Sequence, residues 1–241
     1  MKVSIKTTAR LGGLLYLFNI VCGFFAIGYI PDLILSKDAY TTAQNMLAHE
    51  QLYRFGLVAH LVTLLTNFPL SVIFWKLFNH VNKAITLLIV FFTLVGTAVE
   101  TCNLLNQFMP LVILHGKQFM SDFTPGQLAS LAFMFHRLQN YGVNIAFVFF
   151  GFYGICVGYL IIRSTFLPKT IGVLMAVGGT CYVFNSCASF LFPKFAIQLF
   201  PYIQIPSGLA ELIFCLWLLI MGINVSKWQE EYSKTRENIR S

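Results

Sequence analysis

The fold is decided by long apolar stretches such as residues 84–107, which read AITLLIVFFTLVGTAVETCNLLNQ. Within this run, Glu100 is the one charged residue. A helix rises about 1.5 Å per residue, and the hydrocarbon core of a bilayer is about 30 Å thick. A run of this length and composition therefore predicts a helix that crosses a membrane.

The composition of the whole chain agrees with a membrane protein. Of its 241 residues, 57% are hydrophobic and 10% are charged, and the mean hydropathy is +0.74. A soluble domain carries about 25% charged residues, so this composition excludes an ordinary soluble protein. The apolar stretches that can span a membrane are 11–30, 55–75, 84–107, 141–162, 171–192 and 207–225. We predict a single membrane domain over residues 1–241, folded as an all-α bundle of six transmembrane helices.

Basic residues indicate how these spans are oriented. One side of the predicted membrane has eleven of them: Lys2, Lys6, Arg10, Lys76, Lys83, Arg163, Lys169, Lys227, Lys234, Arg236 and Arg240. The other side has five: Lys37, Arg54, Lys117, Arg137 and Lys194. Because Lys and Arg are enriched in cytoplasmic loops, we expect both termini to be cytoplasmic. The net charge of +7 then reflects topology, and we expect no nucleic-acid partner.

Two longer connections on the external side are predicted to contain interfacial helices. Thr41 followed by Gln44, and Thr124 followed by Gln127, have the spacing of a capping box at the start of a helix. Both helices have enough apolar surface to lie at the membrane interface. We expect each of them to run directly into the span that follows it.

The cysteines and the familiar catalytic motifs give no cofactor. All six cysteines lie inside apolar stretches, and none forms a CxxC pair: Cys22, Cys102, Cys156, Cys181, Cys187 and Cys215. This arrangement is not a disulfide framework, and the thiols are expected to pack as small hydrophobic groups. The chain also lacks a P-loop, a GxSxG motif and a dinucleotide-binding glycine pattern.

Polar side chains inside the predicted spans, or directly before them, are the candidates for a functional site, because ionisable groups are costly inside a membrane. The candidates are His60, Glu100, Asn103, Gln107, His136, Arg137, Asn140, Asn144, Asn185 and Glu211. From the helical rise, Glu100 lies about 24 Å above the cytoplasmic start of its span. His60 and Glu211 lie about 6 to 8 Å below the external starts of theirs. These similar heights predict one outward-facing polar pocket, covered by the two external helices.

Several functions fit such a pocket. We favour a binding or accessory role, with a lipid head group or a small polar molecule as the ligand. His60, Glu100, His136 and Glu211 are also suitable zinc or iron ligands, which would suit a metal-dependent intramembrane hydrolase. A titrating Glu100 would suit a proton-linked carrier of small solutes, and two facing histidines would suit haem. The structural alternative is that these polar groups only join neighbouring helices through hydrogen bonds.

Several sequence blocks resemble one known family. They are ARLGGLLY at 9–16, EQLYRFGLV at 50–58, GYLIIRS at 158–164, LPK at 167–169, IGVL at 171–174, AEL at 210–212 and LWLL at 216–219. Together they resemble the bacterial membrane proteins grouped as domain of unknown function 4386. The resemblance implies a multi-pass protein of the bacterial plasma membrane with one domain. It implies no particular activity, cofactor or site residue.

Overall fold

The computed structural model describes residues 4–116 and 121–240, with side chains up to residue 237. Within these ranges the chain forms helices and no strands. The helices are α1 (Ile5–Gly23), α2 (Ile30–Ile34), α3 (Ala39–Ala48), α4 (Glu50–Phe78), α5 (Lys83–His115), α6 (Pro125–Arg163), α7 (Lys169–Leu191), α8 (Pro193–Leu199), α9 (Ile205–Ile220) and α10 (Val225–Arg240). A π-helical turn, Phe24–Tyr29, joins α1 to α2, and a 3-10 turn, Tyr202–Gln204, precedes α9.

In the described part of the chain, six helical stretches are long and apolar enough to cross a membrane. They are Ile5–Ile34, Glu50–Phe78, Lys83–His115, Pro125–Arg163, Lys169–Leu191 and Tyr202–Ile220. Their exposed side chains include Phe55, Leu105 and Leu191, which are 66%, 68% and 71% exposed. Soluble proteins rarely expose large apolar patches, so contact with lipid accounts for these side chains. The predicted class, an all-α multi-pass membrane protein with six spans, is confirmed.

Two of the long helices extend beyond the apolar runs. α5 continues through Pro110 to His115, as a proline inside a membrane helix allows. α6 starts with the predicted capping box, in which the Thr124 amide donates to Gln127 Oε1 at 2.8 Å and the Gln127 amide donates to Thr124 Oγ1 at 3.4 Å. It continues unbroken to Arg163. The second external helix therefore runs directly into its span.

The first external helix begins earlier than the sequence suggested. Asp38, and not Thr41, is the N-cap of α3, and its Oδ1 accepts hydrogen bonds from the amides of Tyr40 at 2.9 Å and Thr41 at 3.0 Å. A carboxylate at this position satisfies two free amides and carries a favourable charge for a helix N-terminus. α3 ends where His49 leaves helical geometry, with φ −114° and ψ 33°.

The described residues form two compact units. The first unit contains the described residues up to Phe18, Thr66–Gly96 and those from Asn144 onwards. The second unit contains Asn19–Leu65 and Thr97–Val143. α1, α4, α5 and α6 each contribute residues to both units, so no unit is built from whole helices alone.

Aromatic rings and glycines pack the first unit. The ring of Phe74 stacks on Phe214 at 5.7 Å, and Tyr16 meets both rings edge-on at 6.1 and 6.2 Å. α6 and α7 approach each other closely, since a Cβ added at Gly158 or Gly179 would overlap the backbone of the other helix. Small residues allow this kind of close helix packing in membrane proteins.

The second unit has a smaller apolar core beside its polar residues. One cluster consists of Ile30, Ile34, Met46, Tyr53 and Leu111, all of them at most 5% exposed. A second cluster surrounds Ile113, Leu128 and Ala132. These side chains fix α4, α5 and the start of α6 against one another. The polar candidates of the second unit lie on the same three helices.

Candidate functional site

The polar network of the second unit is formed by four of the predicted site residues. Glu100, Asn103 and Gln107 are spaced i, i+3 and i+7 on α5, which places them on one face of the helix. His60 comes from α4. The exposed fractions are 1% for His60, 3% for Glu100, and 4% for both Asn103 and Gln107. The structure thus brings these four residues together in a buried group.

A polar side chain lies close to each ring nitrogen of the His60 imidazole. Nδ1 lies 2.7 Å from Oε1 of Gln107, and Nε2 lies 3.3 Å from Oε1 of Glu100. Both partners come from α5, so the ring joins α4 to two successive turns of that helix. This geometry leaves the imidazole little freedom to turn.

The chemistry of these contacts constrains how the His60 imidazole is used. Because Gln107 Oε1 can only accept a hydrogen bond, the proton on the Nδ1 side belongs to His60. On the other side of the ring, Nε2 lies within ion-pair distance of Glu100 Oε1. An imidazolium paired with a carboxylate carries no net charge. Burying a neutral pair avoids the high cost of burying an unpaired charge.

Asn103 fixes the position of the carboxyl group. Its Nδ2 lies 3.3 and 3.2 Å from the two oxygens of Glu100, and it donates to the main-chain carbonyl of Gln139 on α6 at 2.9 Å. Asn106 Nδ2 donates to Asn103 Oδ1 at 3.0 Å. A Cβ added at Gly142 would overlap the Asn103 amide. A glycine at that position therefore provides the space that Asn103 occupies.

Tyr53 strengthens the link between α4 and α5. Its hydroxyl group donates to the main-chain carbonyl of Gln107 at 2.6 Å, and its ring packs in the apolar core. Tyr53 precedes His60 by seven residues, so both side chains lie on the same face of α4. The network therefore continues directly into the hydrophobic core of the second unit.

The other candidates of the second unit lie further along α6. His136 is 8% exposed, and its Nε2 lies 3.3 Å from Nδ2 of Asn140, one turn later. Arg137 is exposed, and its guanidinium group lies 5.1 Å from the centre of the Phe133 ring. These contacts lie within one helix, in contrast to the links between helices around His60.

The remaining three candidates belong to the first unit. Asn185 on α7 donates to Asn144 on α6 at 3.4 Å. The Glu211 carboxyl group on α9 is hydrogen-bonded to the Tyr16 hydroxyl group and interacts with Tyr153. Both contacts join neighbouring helices of that unit. That all ten candidates line one outward-facing pocket stays a prediction.

Of the four candidate metal ligands, only two, His60 and Glu100, are in contact with each other in the described residues. Within residues 4–116 and 121–240, no three His, Cys, Asp or Glu side chains come together in a way that could hold a metal ion. His60 and Glu100 supply two such ligands. A depression of about 500 Å³ lies at the start of α6, where Phe123, Gln127 and Met134 contribute to its lining. The lining does not include the His60 network.

Some participants in these polar groups were not identified from the sequence. In the second unit they are Tyr53, Asn106 and Gly142, and in the first unit they are Tyr16 and Tyr153. The tyrosines were counted with the apolar residues, although a buried tyrosine hydroxyl usually finds a hydrogen-bond partner. The seven-residue spacing from His60 was the available signal for Tyr53. For Gly142 the sequence contained none.

Comparisons with known proteins agree with the resemblance noted in the sequence. Over 85 residues the chain is 26% identical to an uncharacterized protein of Archaeoglobus fulgidus, and this alignment covers 35% of the chain and 49% of the relative. The matched part thus spans about half the length of that curated relative. No solved structure matches the chain. A family model matches residues 11–222, so the chain belongs to the family described as domain of unknown function (DUF4386).

Proposed function

We propose that this chain is a multi-pass protein of the plasma membrane that binds a lipid head group or a small polar molecule. The proposed binding site is the network around His60 and Glu100, and both termini are placed in the cytoplasm. One observation carries the proposal: an imidazole and a carboxyl group are paired at 3.3 Å while only 1% and 3% exposed. The role is one of binding, or of an accessory protein in the membrane.

Stability is a poor explanation for the presence of this pair. Replacing a buried ion pair by well-packed apolar side chains is often neutral or stabilising. Ionisable residues inside membrane spans are therefore functional candidates by default. His60 and Glu100 fulfil this condition together, since they lie on two different spanning helices and contact each other.

The network has the chemistry to recognise a polar ligand. The Glu100 oxygens accept hydrogen bonds, the Asn103 amide nitrogen donates them, and Gln107 can do both. Asn103 and Gln107 carry side chains with rotatable bonds, so they can exchange their present partners for groups of a ligand. A head group with hydroxyl or ammonium donors suits the carboxyl oxygens. The positive-inside distribution of basic residues supports a site in the outer half of the membrane.

Thiol labelling in intact cells tests the outward-facing pocket. In a chain without its native cysteines, Asn103→Cys and Asn144→Cys should react with a membrane-impermeant maleimide, whereas Val90→Cys should not. Ser226→Cys, which is exposed on α10, should react only after the membrane is permeabilised. Equal labelling of Val90→Cys and Asn103→Cys would overturn the outward-facing pocket.

The ligand itself can be sought by native mass spectrometry of the protein purified in mild detergent. A lipid or small molecule bound to the wild type should be lost from Glu100→Gln and kept by Glu50→Gln. Glu50 is the matched control because its carboxyl group also pairs with a histidine of α5, His115, at a site where both are partly exposed. Equal retention by the two variants would exclude Glu100 as part of the binding site.

A proton-linked carrier is the second candidate, and the buried contact between an imidazole and a carboxyl group favours it. In vesicles containing a pH-sensitive dye, an added small solute should then drive proton movement that Glu100→Gln abolishes. A metal-dependent hydrolase ranks lower, because a catalytic zinc site uses three protein ligands. Stoichiometric zinc or iron in the purified protein, lost in His60→Ala, would reverse this order.

A further inference from the structure

The C-terminal helix α10 packs on two connections between spanning helices, both in the first unit. Trp228 Nε1 donates to the main-chain carbonyl of Leu77 at 3.0 Å. Thr235 Oγ1 donates to the main-chain carbonyl of His80 at 3.2 Å. Thr235 Oγ1 also lies 3.1 Å from the carbonyl of Glu231, one turn earlier in α10. These contacts attach two turns of α10 to the last turn of α4 and to the connection that follows it.

The same helix also binds the connection between α6 and α7. The Glu231 carboxylate accepts hydrogen bonds from the amide and the hydroxyl group of Thr165, at 3.1 and 2.9 Å. The Asn224 amide, just before α10, donates to the carbonyl of Phe166 at 3.2 Å. Polar contacts from residue 224 to residue 235 therefore hold α10 on the two connections.

The His80 side chain lies at the centre of this contact. The imidazole is 7% exposed, and its centre lies 4.9 Å from the Trp228 ring, 5.7 Å from the Phe166 ring and 5.8 Å from the Tyr232 ring. Among the side chains that the structure describes, neither ring nitrogen has a hydrogen-bond partner. His80 is thus a buried polar group enclosed by aromatic rings.

This environment penalises a positive charge on the ring. Burial lowers the pKa of the His80 imidazole from its ordinary value, and the negative charge of Glu231 opposes this shift less strongly. Glu231 is the charged group that α10 presents to the ring, while the connection between α6 and α7 presents the apolar ring of Phe166. Tyr232 on α10 also faces the imidazole.

We propose that α10 is a pH-sensitive latch, which stays docked on the two connections while His80 is neutral and is released when His80 takes up a proton. Release exposes the imidazole to water, so both ring nitrogens gain hydrogen-bond partners. It also uncovers residues 79–82 and 164–168, which then become accessible to other molecules.

The direction of the pH dependence follows from proton linkage. In the released state His80 meets water and titrates near its ordinary pKa of about 6.5. In the docked state the pKa of His80 is lower, so the docked state is fully stable above that ordinary value. Docking weakens as the pH falls below it, by about tenfold for each pKa unit that separates the two states.

Hydrogen exchange of the α10 amides in the full-length protein tests the latch. The protein is reconstituted in lipid nanodiscs, and the rates are corrected for the intrinsic effect of pH. In the wild type, amides 228–236 should exchange faster at about pH 5 than at about pH 8. His80→Phe, which keeps a planar ring and cannot take up a proton, should remain protected at both pH values.

Two further variants complete the test. His49→Gln removes an exposed histidine outside α10 and should behave like the wild type. If His80→Phe does not fold, His80→Gln replaces it, and its exchange should be faster overall but independent of pH after correction. An unchanged corrected rate in the wild type would overturn the latch. So would the same acid-induced increase in a His80 variant.

Discussion

Breaking the buried pair of His60 and Glu100 should cost far more free energy than breaking an exposed pair of the same residue types. His60→Leu leaves the Glu100 carboxyl group buried, and it removes the donor that lies 2.7 Å from Gln107 Oε1. Removing one partner of a buried ion pair costs about 3–5 kcal/mol of unfolding free energy. We expect a loss in this range for His60→Leu and also for Glu100→Met.

The double variant separates the energy of the pair from the cost of each substitution. With both groups replaced, no buried ionisable group lacks its partner, so the two losses should not add. We expect a coupling free energy of about 2 kcal/mol or more. Most of the loss in each single variant comes from leaving the other group buried without its partner. Hydrogen bonds between membrane helices couple by about 0.6 kcal/mol on average. A value near that average would describe an ordinary contact between helices.

The control is the pair formed by Glu50 and His115, also on α4 and α5. Their side chains are 26% and 50% exposed and lie 3.0 Å apart. For this partly exposed pair the coupling should stay below about 1 kcal/mol. Both cycles can be measured by SDS titration in mixed micelles, with helical circular dichroism as the signal. Equal coupling in the two cycles would refute the argument that burial makes the His60 pair special.

Two glycine substitutions test how closely the helices pack. Gly142→Ala places a Cβ on the Asn103 amide. It should lower the free energy of unfolding by about 1–3 kcal/mol, because buried hydrogen bonds are lost. Its control, Gly126→Ala, has no neighbour within 4 Å and should leave the free energy of unfolding unchanged. In Gly179→Ala the added Cβ overlaps the α6 backbone, and overpacking should lower the free energy of unfolding by about 1–3 kcal/mol. Its control is Gly208→Ala, whose added Cβ meets nothing within 4 Å. Thermal unfolding of the four variants checks both comparisons, and equal melting temperatures within a pair would contradict the packing.

The spanning helices could be predicted because the signal for them is local. A run of apolar residues long enough to cross a bilayer needs no information about its neighbours. The start of α6 was predictable for the same reason, since the capping box of Thr124 and Gln127 involves residues three apart. The N-cap of α3 was predicted wrongly, because Asp38 and Thr41 are both good N-cap residues. Only the backbone conformation decides between them.

Part of the polar network could also be predicted from local spacing. The i, i+3 and i+7 pattern places Glu100, Asn103 and Gln107 on one face of α5. Their partner on another helix could not be predicted from local spacing, because His60 and His136 are both candidate partners. Packing decides it, and the structure shows His60 in contact with Glu100 and His136 in contact with Asn140. Gly142 has no side chain, so its contribution was invisible in a search for polar groups.

The latch lay outside what residue patterns can indicate. The sequence places His80 in a short connection between two spans, where an exposed side chain is the ordinary expectation. Its burial depends on Trp228 and Tyr232, which follow about 150 residues later. In the sequence, residues 225–240 stand out by their charges, and the spacing of Trp228 and Tyr232 alone does not indicate which surface they pack on. Such a contact depends on how distant segments meet.

The two buried carboxyl groups differ in what their partners can do with a proton. Glu100 faces an imidazole, whose ring nitrogens can each bind or release a proton. Glu211 is hydrogen-bonded to the Tyr16 hydroxyl group, and a phenol ordinarily ionises near pH 10, about five units or more above a carboxylic acid. The pair of His60 and Glu100 is therefore the contact better suited to exchanging a proton. If proton movement accompanies binding or transport, it should depend on Glu100 and be unaffected by Glu211→Gln in a properly folded protein.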